Sequence, residues 1–470
     1  MYRREAGKSR RRVRKGQETK ERGEVSKRPE YQILRGISMI AVFPSSGPGT
    51  ASPPTGETRT WNAGEIRILR GLSLDIHRVP GYIRGEKVFS SCLPHGNLFS
   101  SMNSPLVDLF LEAVAVDAVS LHEAPMVRFI REKLSGLPIR IAQDDTGQLV
   151  GGETGNIFCI PPSFDPAKPA VALLAHMDTP RSTALVRPVL SDVRITSDGT
   201  TVLGVDNRAG LSVLLHVLAE HVRRNLAGNF LVVFTFGEEE GLYGSKHVDL
   251  EPYNVKMCFV FDCSRRPGAF IQSAVGCSLY TATFHGTSSH AGVAPEKGVS
   301  AIRIAARALV DVPVGRLGPT MTANVGMIGG GEATNIVPDK CRIDGEVREF
   351  NQLAINEYLA ALETGFRDVA RTNGGTVTFQ SRVDFPPFVL DPASDVFRMI
   401  AETLTSLGLT PEPLQYLGGS DANMLNAKGI PAVNIGIGAQ NPHGNDEFIL
   451  LEDLAKTAEI AEALIARSNR

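Results

Sequence analysis

The sequence predicts an α/β fold with a second, smaller unit inserted into it. Short, nearly continuous apolar runs end abruptly in polar residues at 169–179 (PAVALLAHMDT), 228–236 (GNFLVVFTF), 257–262 (MCFVFD) and 431–438 (PAVNIGIG). That is the pattern of parallel strands buried on both faces. Helical periodicity separates or follows them, at 207–225 (NRAGLSVLLHVLAEHVRRN) and 451–468 (LEDLAKTAEIAEALIARS). Strands alternating with helices make a mostly parallel sheet with helices on both faces. One stretch, 276–384, breaks the rhythm and reads βαββαβ, the ferredoxin-like order.

In chain order, residues 1–30 hold 12 Lys or Arg against five Glu and show no core pattern. Residues 43–60 (FPSSGPGTASPPTGETRT) have linker composition. Residues 1–101 are therefore expected to be a disordered basic and Pro/Gly/Ser-rich leader outside the enzyme, and MNSPLVDLFLEAV from Met102 reads as a natural start. Helical spacing follows at 104–117 and 124–137. The first apolar strands then complete a unit expected over 104–275. The inserted unit takes strand 278–286, helix 298–312, strands 320–330 and 339–350, helix 353–372 and strand 376–385. The first unit resumes over 385–470.

Composition narrows the function classes. The 470 residues suffice for more than one domain, and 42% hydrophobic with 21% charged is an ordinary globular mixture. A net charge of −2 argues against nucleic acid as partner. No apolar run reaches the roughly 18 residues of a membrane span. The six cysteines, Cys92, Cys159, Cys258, Cys263, Cys277 and Cys341, form no CxxC pair. They read as free thiols of a reducing cytoplasm.

Chemistry gathers where the apolar strands end. His176 and Asp178 follow VALLA, Asp206 lies in GVDNRAG before a helix, Glu238, Glu239 and Glu240 follow LVVFTF, Asp262 ends MCFVFD, and His443 lies in NPHGNDEF. Carboxyl ends of strands form the binding crevice of open α/β sheets. Five segments thus deliver histidines and carboxylates, without thiolates, to one rim. That donor set suits a catalytic divalent site, with zinc favoured. Two such cations would be balanced by three carboxylates and one hydroxide. Three adjacent glutamates cannot all face one cation, because neighbours on an extended chain point opposite ways. His176 and Asp178, two apart, share one strand face.

AHMDT, GVDNRAG, GEEEGLYGS, FVFD, SSHAG, GGSDAN and NPHGNDEF together resemble the peptidase T / carboxypeptidase G / aminoacylase family of dizinc exopeptidases, most of all its peptidase T-like branch, over roughly 104–470. The resemblance implies a zinc-exopeptidase-like catalytic domain. The inserted unit, placed after Asp262, becomes a lid and dimerisation domain, and the protein a homodimer. It implies two Zn²⁺ per subunit. His176 and Asp262 hold one zinc, Glu239 and His443 the other, and Asp206 bridges them. Glu238 is implied as the general base acting on a water between the metals, and Asp178 as the group that orients His176. His290 is implied to stabilise the oxyanion and Arg348 to grip a substrate carboxylate. Asn335 and Asp421 are expected to contact substrate amide and amine groups. The Asp206–Asn207 peptide is implied to be cis. The implied activity is hydrolysis of short peptides by an aminopeptidase or tripeptidase. The alternatives are an N-acyl-amino-acid amidohydrolase with the same chemistry and a non-catalytic peptide-binding relative.

Overall fold

The four apolar runs pair as neighbouring parallel strands at the centre of one sheet. A computed structural model describes residues 104–468; the expected leader, residues 1–101, and Met102 lie outside the described residues. Phe230–Thr235, Ala170–His176, Val255–Cys263 and Ala432–Gly436 lie side by side and parallel. Every residue of Ala170–His176 and Phe230–Thr235 is buried, which explains why no polar alternation interrupts them. Flanking strands turn the sheet mixed. Arg140–Gln143 and Ile157–Ile160 add on antiparallel beyond Phe230–Thr235, and Ala269–Ala274 pairs antiparallel with Ala432–Gly436. Glu412–Tyr416 and Phe388–Val389 complete nine strands.

Helix Val205–Arg223 packs on the central strands and carries Pro105–Val114 and Leu451–Arg467 against it. Pro105–Val114 starts as its sequence dictates: Ser104 Oγ accepts from Leu106 N at 3.3 Å, and Pro105 occupies the first turn, where its missing N–H costs nothing. On another part of the sheet, the short helices Tyr243–His247 and Asp421–Ala427 pack together. Among the described residues, no helix is long and apolar enough to cross a membrane.

The inserted unit has the βαββαβ order read from the sequence. Its sheet runs Gly315–Arg316, Thr322–Gly330, Lys340–Glu349, Gly276–His285, Thr376–Phe385, antiparallel throughout. Helices Ala301–Val310 and Gln352–Thr372 cover one face, around Tyr280, Phe284, Ile343 and Phe366. Phe284 and Phe366 meet edge to face with centroids 5.3 Å apart. Burying each such side chain contributes about 1.5–3 kcal/mol, so this layer holds a core separate from that of the large sheet. The chain leaves the large sheet after Ala274 and returns at Phe388, and these two residues pair. Leu242, Cys277 and Phe385 form a small apolar cluster at the crossing, and Lys246 Nζ bonds Asp384 Oδ1 beside it at 2.8 Å.

Candidate metal centre

Each chemistry-bearing segment reaches the same rim because each follows the carboxyl end of a central strand or a turn beside it. His176 closes Ala170–His176 and is 1% exposed. Its Nε2 lies 3.1 Å from Asp206 Oδ1 and 3.1 Å from Asp262 Oδ1. Its Nδ1 lies 3.2 Å from Asp178 Oδ1. Gly204, at φ +73°, turns the chain into the segment of Asp206, and the Asp206–Asn207 peptide is cis. Asn207 sends Nδ2 to Phe261 O at 2.8 Å and to Asp262 Oδ1 at 3.1 Å. On the other side of Asp206, His443 Nε2 is 3.6 Å from Asp206 Oδ2 and 3.3 Å from Glu239 Oε1.

Three groups result whose donor atoms all lie within 4.8 Å of one another: His176, Asp206 and Asp262; Asp206, Glu239 and His443; and His176, Glu238 and Glu239. The first two share Asp206 and contain the five residues expected to bind metal. The third brings Glu238 against both. Glu240 belongs to none and is exposed. The donor set fits a pair of divalent cations. It offers imidazole nitrogen and carboxylate oxygen only, and Glu239 Oε1 is buried with no hydrogen-bond partner.

Burial and the close approach of like and unlike charges shift the proton affinities of the cluster. The carboxylates of Asp206 and Glu239, both facing its Nε2, push His443 up to about 10. Burial opposes charge on His176, yet Asp262, Asp178 and Asp206 together hold it well above the ordinary imidazole range. Burial works against Asp206 too, yet the hydrogen bond with His176 and the facing His443 imidazole keep it well below the usual carboxylate range. Burial, with the charges of Asp262, Glu239 and Asp421, outweighs His176 and holds Glu238 well above it.

The glutamate run is held by its backbone. Four consecutive amides each find a fully buried side-chain acceptor: Phe236 N on Asn156 Oδ1 at 3.1 Å, Gly237 N on Glu123 Oε1 at 2.8 Å, Glu238 N on Asp178 Oδ1 at 3.1 Å, and Glu239 N on Asp178 Oδ2 at 3.1 Å. Ser120 Oγ adds a bond to Asp178 at 2.6 Å. Arg208, 0% exposed, is charge-coupled to Asp178 and Glu123 and donates to the carbonyls of Met177 and Val116. No local pattern marks Glu123 or Asn156, and Arg208 lies inside GVDNRAG without an assigned role. Glu447 was visible inside NPHGNDEF, but without a role.

The lid residues stand elsewhere. His290 and Asn335 are exposed on neighbouring segments, where His290 pairs with Ile336 and Ala291 N bonds Asn335 O at 2.9 Å. Arg348 forks onto Glu346 at 2.9 and 3.1 Å and lies 5.9 Å from the Phe385 ring. Among the described residues, no hydrogen bond or ion pair joins these three to the cluster. Asp421, expected at a substrate amine, lies instead beneath the rim. It is 1% exposed, with Oδ2 taking the Thr235 hydroxyl at 2.5 Å.

Fold and site together define a metal-dependent hydrolase built on an α/β sheet with an inserted lid. The Peptidase dimerisation domain of M20 peptidases matches residues 274–373. Uncharacterized protein YqjE of Bacillus subtilis is 32% identical over 361 residues, covering 77% of this chain and 97% of that protein. The structure of aminopeptidase PepT from Bacillus cereus is 34% identical with a TM-score of 0.68, covering 78% of this chain and 98% of that one. A tripeptidase from Staphylococcus aureus is 30% identical with a TM-score of 0.70, covering 77% and 97%. The chain belongs to the M20 family of metallopeptidases, in its peptidase T-like branch.

Burial, then the charge of Asp178, push the Glu123 carboxyl from an ordinary 4.5 up to about 8. The folded chain therefore binds this proton more tightly than the unfolded chain. The resulting stability is full below the unfolded value and lost as pH rises through the folded one. Glu123→Gln keeps an oxygen for Gly237 N–H and removes the titration. The unfolding midpoint of the variant should fall less than that of the wild type between about pH 5 and pH 8. Equal pH slopes in the two proteins would refute the assignment.

Proposed function

We propose that the chain is a dizinc aminopeptidase acting on short peptides. The observation that carries this is the pair of His/carboxylate groups meeting at Asp206 with Glu238 beside both, in a chain 34% and 30% identical to an aminopeptidase and a tripeptidase. We assign 104–275 and 385–470 to the catalytic domain and 276–384 to the lid.

His176, Asp206 and Asp262 would hold one zinc, and Asp206, Glu239 and His443 the other. Bound there, zinc supplies Lewis acidity that lowers the pKa of water and polarises a carbonyl. Asp178 faces His176 Nδ1 and so leaves Nε2 as the ligand atom. Glu238 accepts the proton that water loses on adding to the carbonyl carbon, and returns it to the amine nitrogen as the C–N bond breaks. Its raised proton affinity suits the second half of that task. Arg348 offers a planar fork to the substrate carboxylate. Asn335 offers an amide contact, and His290 a donor for the oxygen on which charge develops.

A homodimer through the lid is supported by its open edge. Beyond Ala323, strand Thr322–Gly330 has no described neighbour on its outer side, and Met327 and Ile328 are 64% and 55% exposed there. Such an edge templates pairing with another chain. The cytoplasmic reading is supported by Cys159, Cys258, Cys263, Cys277 and Cys341, all free and buried.

Three measurements test these assignments. Against a panel of tripeptides and N-acetyl amino acids, the zinc-loaded enzyme should release N-terminal residues from the peptides; turnover of the acyl amino acids alone would overturn the peptidase assignment. Glu238→Ala should lower kcat by about 10²–10⁴ with zinc content unchanged, Glu239→Ala should lose one zinc, and Glu240→Ala should leave both within about twofold. Equal losses in all three would break this division of roles. Met327→Lys with Ile328→Lys should halve the sedimentation mass, and a wild-type mass equal to one chain would exclude the dimer.

A further inference from the structure

His443 is held differently from the other groups of the rim. The His176 side chain is 1% exposed and fixed by strand packing, whereas that of His443 is 49% exposed in a loop. Its φ is +68°, in the left-handed region. Apart from the contacts of Nε2, the polar contacts that hold it are made by its backbone. Its N–H donates to Glu447 Oε1 at 2.5 Å, and its carbonyl accepts from Arg181 Nη1 at 3.1 Å. Glu447 is 1% exposed. Its other oxygen accepts from Gly204 N at 2.6 Å and Val205 N at 3.3 Å, the two amides directly before Asp206.

We infer that Glu447 is a positioning residue that fastens the Asp206 turn to the His443 loop and so sets the spacing of the Asp206, Glu239 and His443 cation pocket. The inference rests on the dizinc reading above. Both carboxylate oxygens are committed to amides, so Glu447 is not itself a ligand. Its chemistry suits the task. Three N–H donors converge on it from two segments, and a carboxylate answers both sides with acceptors only. A glutamine can present its single oxygen to one side and must turn an NH₂ toward the other. The His176 and Asp262 pocket has separate supports, Asp178 and Asn207. Asp206 serves both pockets but keeps its Asn207 anchor when the strap is lost, whereas the His443 loop loses the bond to its N–H, so loss of Glu447 should fall on the pocket that contains His443.

The test uses the full-length chain, stripped with chelator and titrated with zinc against a chromophoric competitor, with elemental analysis and steady-state kinetics in parallel. Wild type should take two zincs. Glu447→Gln should keep one at wild-type affinity and bind the other about 10–100-fold more weakly. Its kcat should fall with KM within about threefold and recover as zinc is raised. Glu447→Asp, which keeps both acceptors on a shorter stem, should fall between; if Glu447→Gln does not fold, this variant decides. Either variant binding both zincs at wild-type affinity, or weakening both equally, overturns the inference while leaving the dizinc reading intact. A wild-type chain that takes no zinc removes the dizinc reading and this inference with it.

Discussion

Backbone amides make the acidic rim possible. A carboxylate withdrawn from water must find donors or give up its charge, and this rim withdraws several at once. Asp178 and Glu447 find theirs in main-chain N–H groups at Glu238, Glu239, His443, Gly204 and Val205, while Glu123, with the one amide of Gly237, is pushed toward its neutral form. Those donors exist because strands end and turns begin there, leaving N–H groups without ladder partners. The same amides belong to, or immediately precede, residues that face the cluster. Satisfying the buried carboxylates and aiming the functional side chains are thus one set of bonds.

This economy leaves little room for variation around Asp206. Asn207 ties the turn to Phe261 and Asp262, and its Oδ1 accepts from Gly210 N at 3.0 Å. A side chain at Gly210 would bring its Cβ to 2.2 Å from Phe261 O and 2.4 Å from Asn207 Oδ1. The helix can approach the strand this closely only because that position lacks a Cβ. The aspartate that faces both histidines is accordingly placed by neighbours on a strand, a helix and a loop, not by its own rotamer alone.

The parts legible in the sequence are those fixed by short-range pattern. The four central strands announced themselves because both faces are buried, and the lid because 3.6 and 2.0 periodicities alternate cleanly from Gly276 to Phe385. His176, Asp206, Glu239, Asp262 and His443, whose donor atoms the structure gathers, stood out because each follows such a strand or sits in a recognisable motif. Arg140–Gln143 and Ile157–Ile160 were not found. They are four residues each, too short for a period to declare itself. Glu123, Asn156 and Glu447 escaped for another reason. Glu123 and Asn156 bond amides 114 and 80 residues away, and Glu447 joins nearby His443 to a turn 243 residues away; no local pattern distinguishes a buried acceptor from a surface one. Asp421 shows the same limit: its motif is plain, but its burial against Thr235 is a property of packing.

The lid meets the large sheet where Ala274 pairs with Phe388 and, three residues farther along, Cys277 with Phe385. Its outgoing and returning chains therefore form one narrow ribbon, not two separated tethers. Any rotation about that ribbon would be a swing on a short axle, in which displacement grows with distance from the axle. Arg348, beside Phe385, lies near the axle and would hardly move. The loop of His290, beyond the far end of the strand that begins at Gly276, would sweep the longest arc. On the roles proposed above, one lid would then carry two kinds of recognition: a fixed stop near the axle, against which a chain end could be measured, and a moving tip that would register whether the space between had been filled.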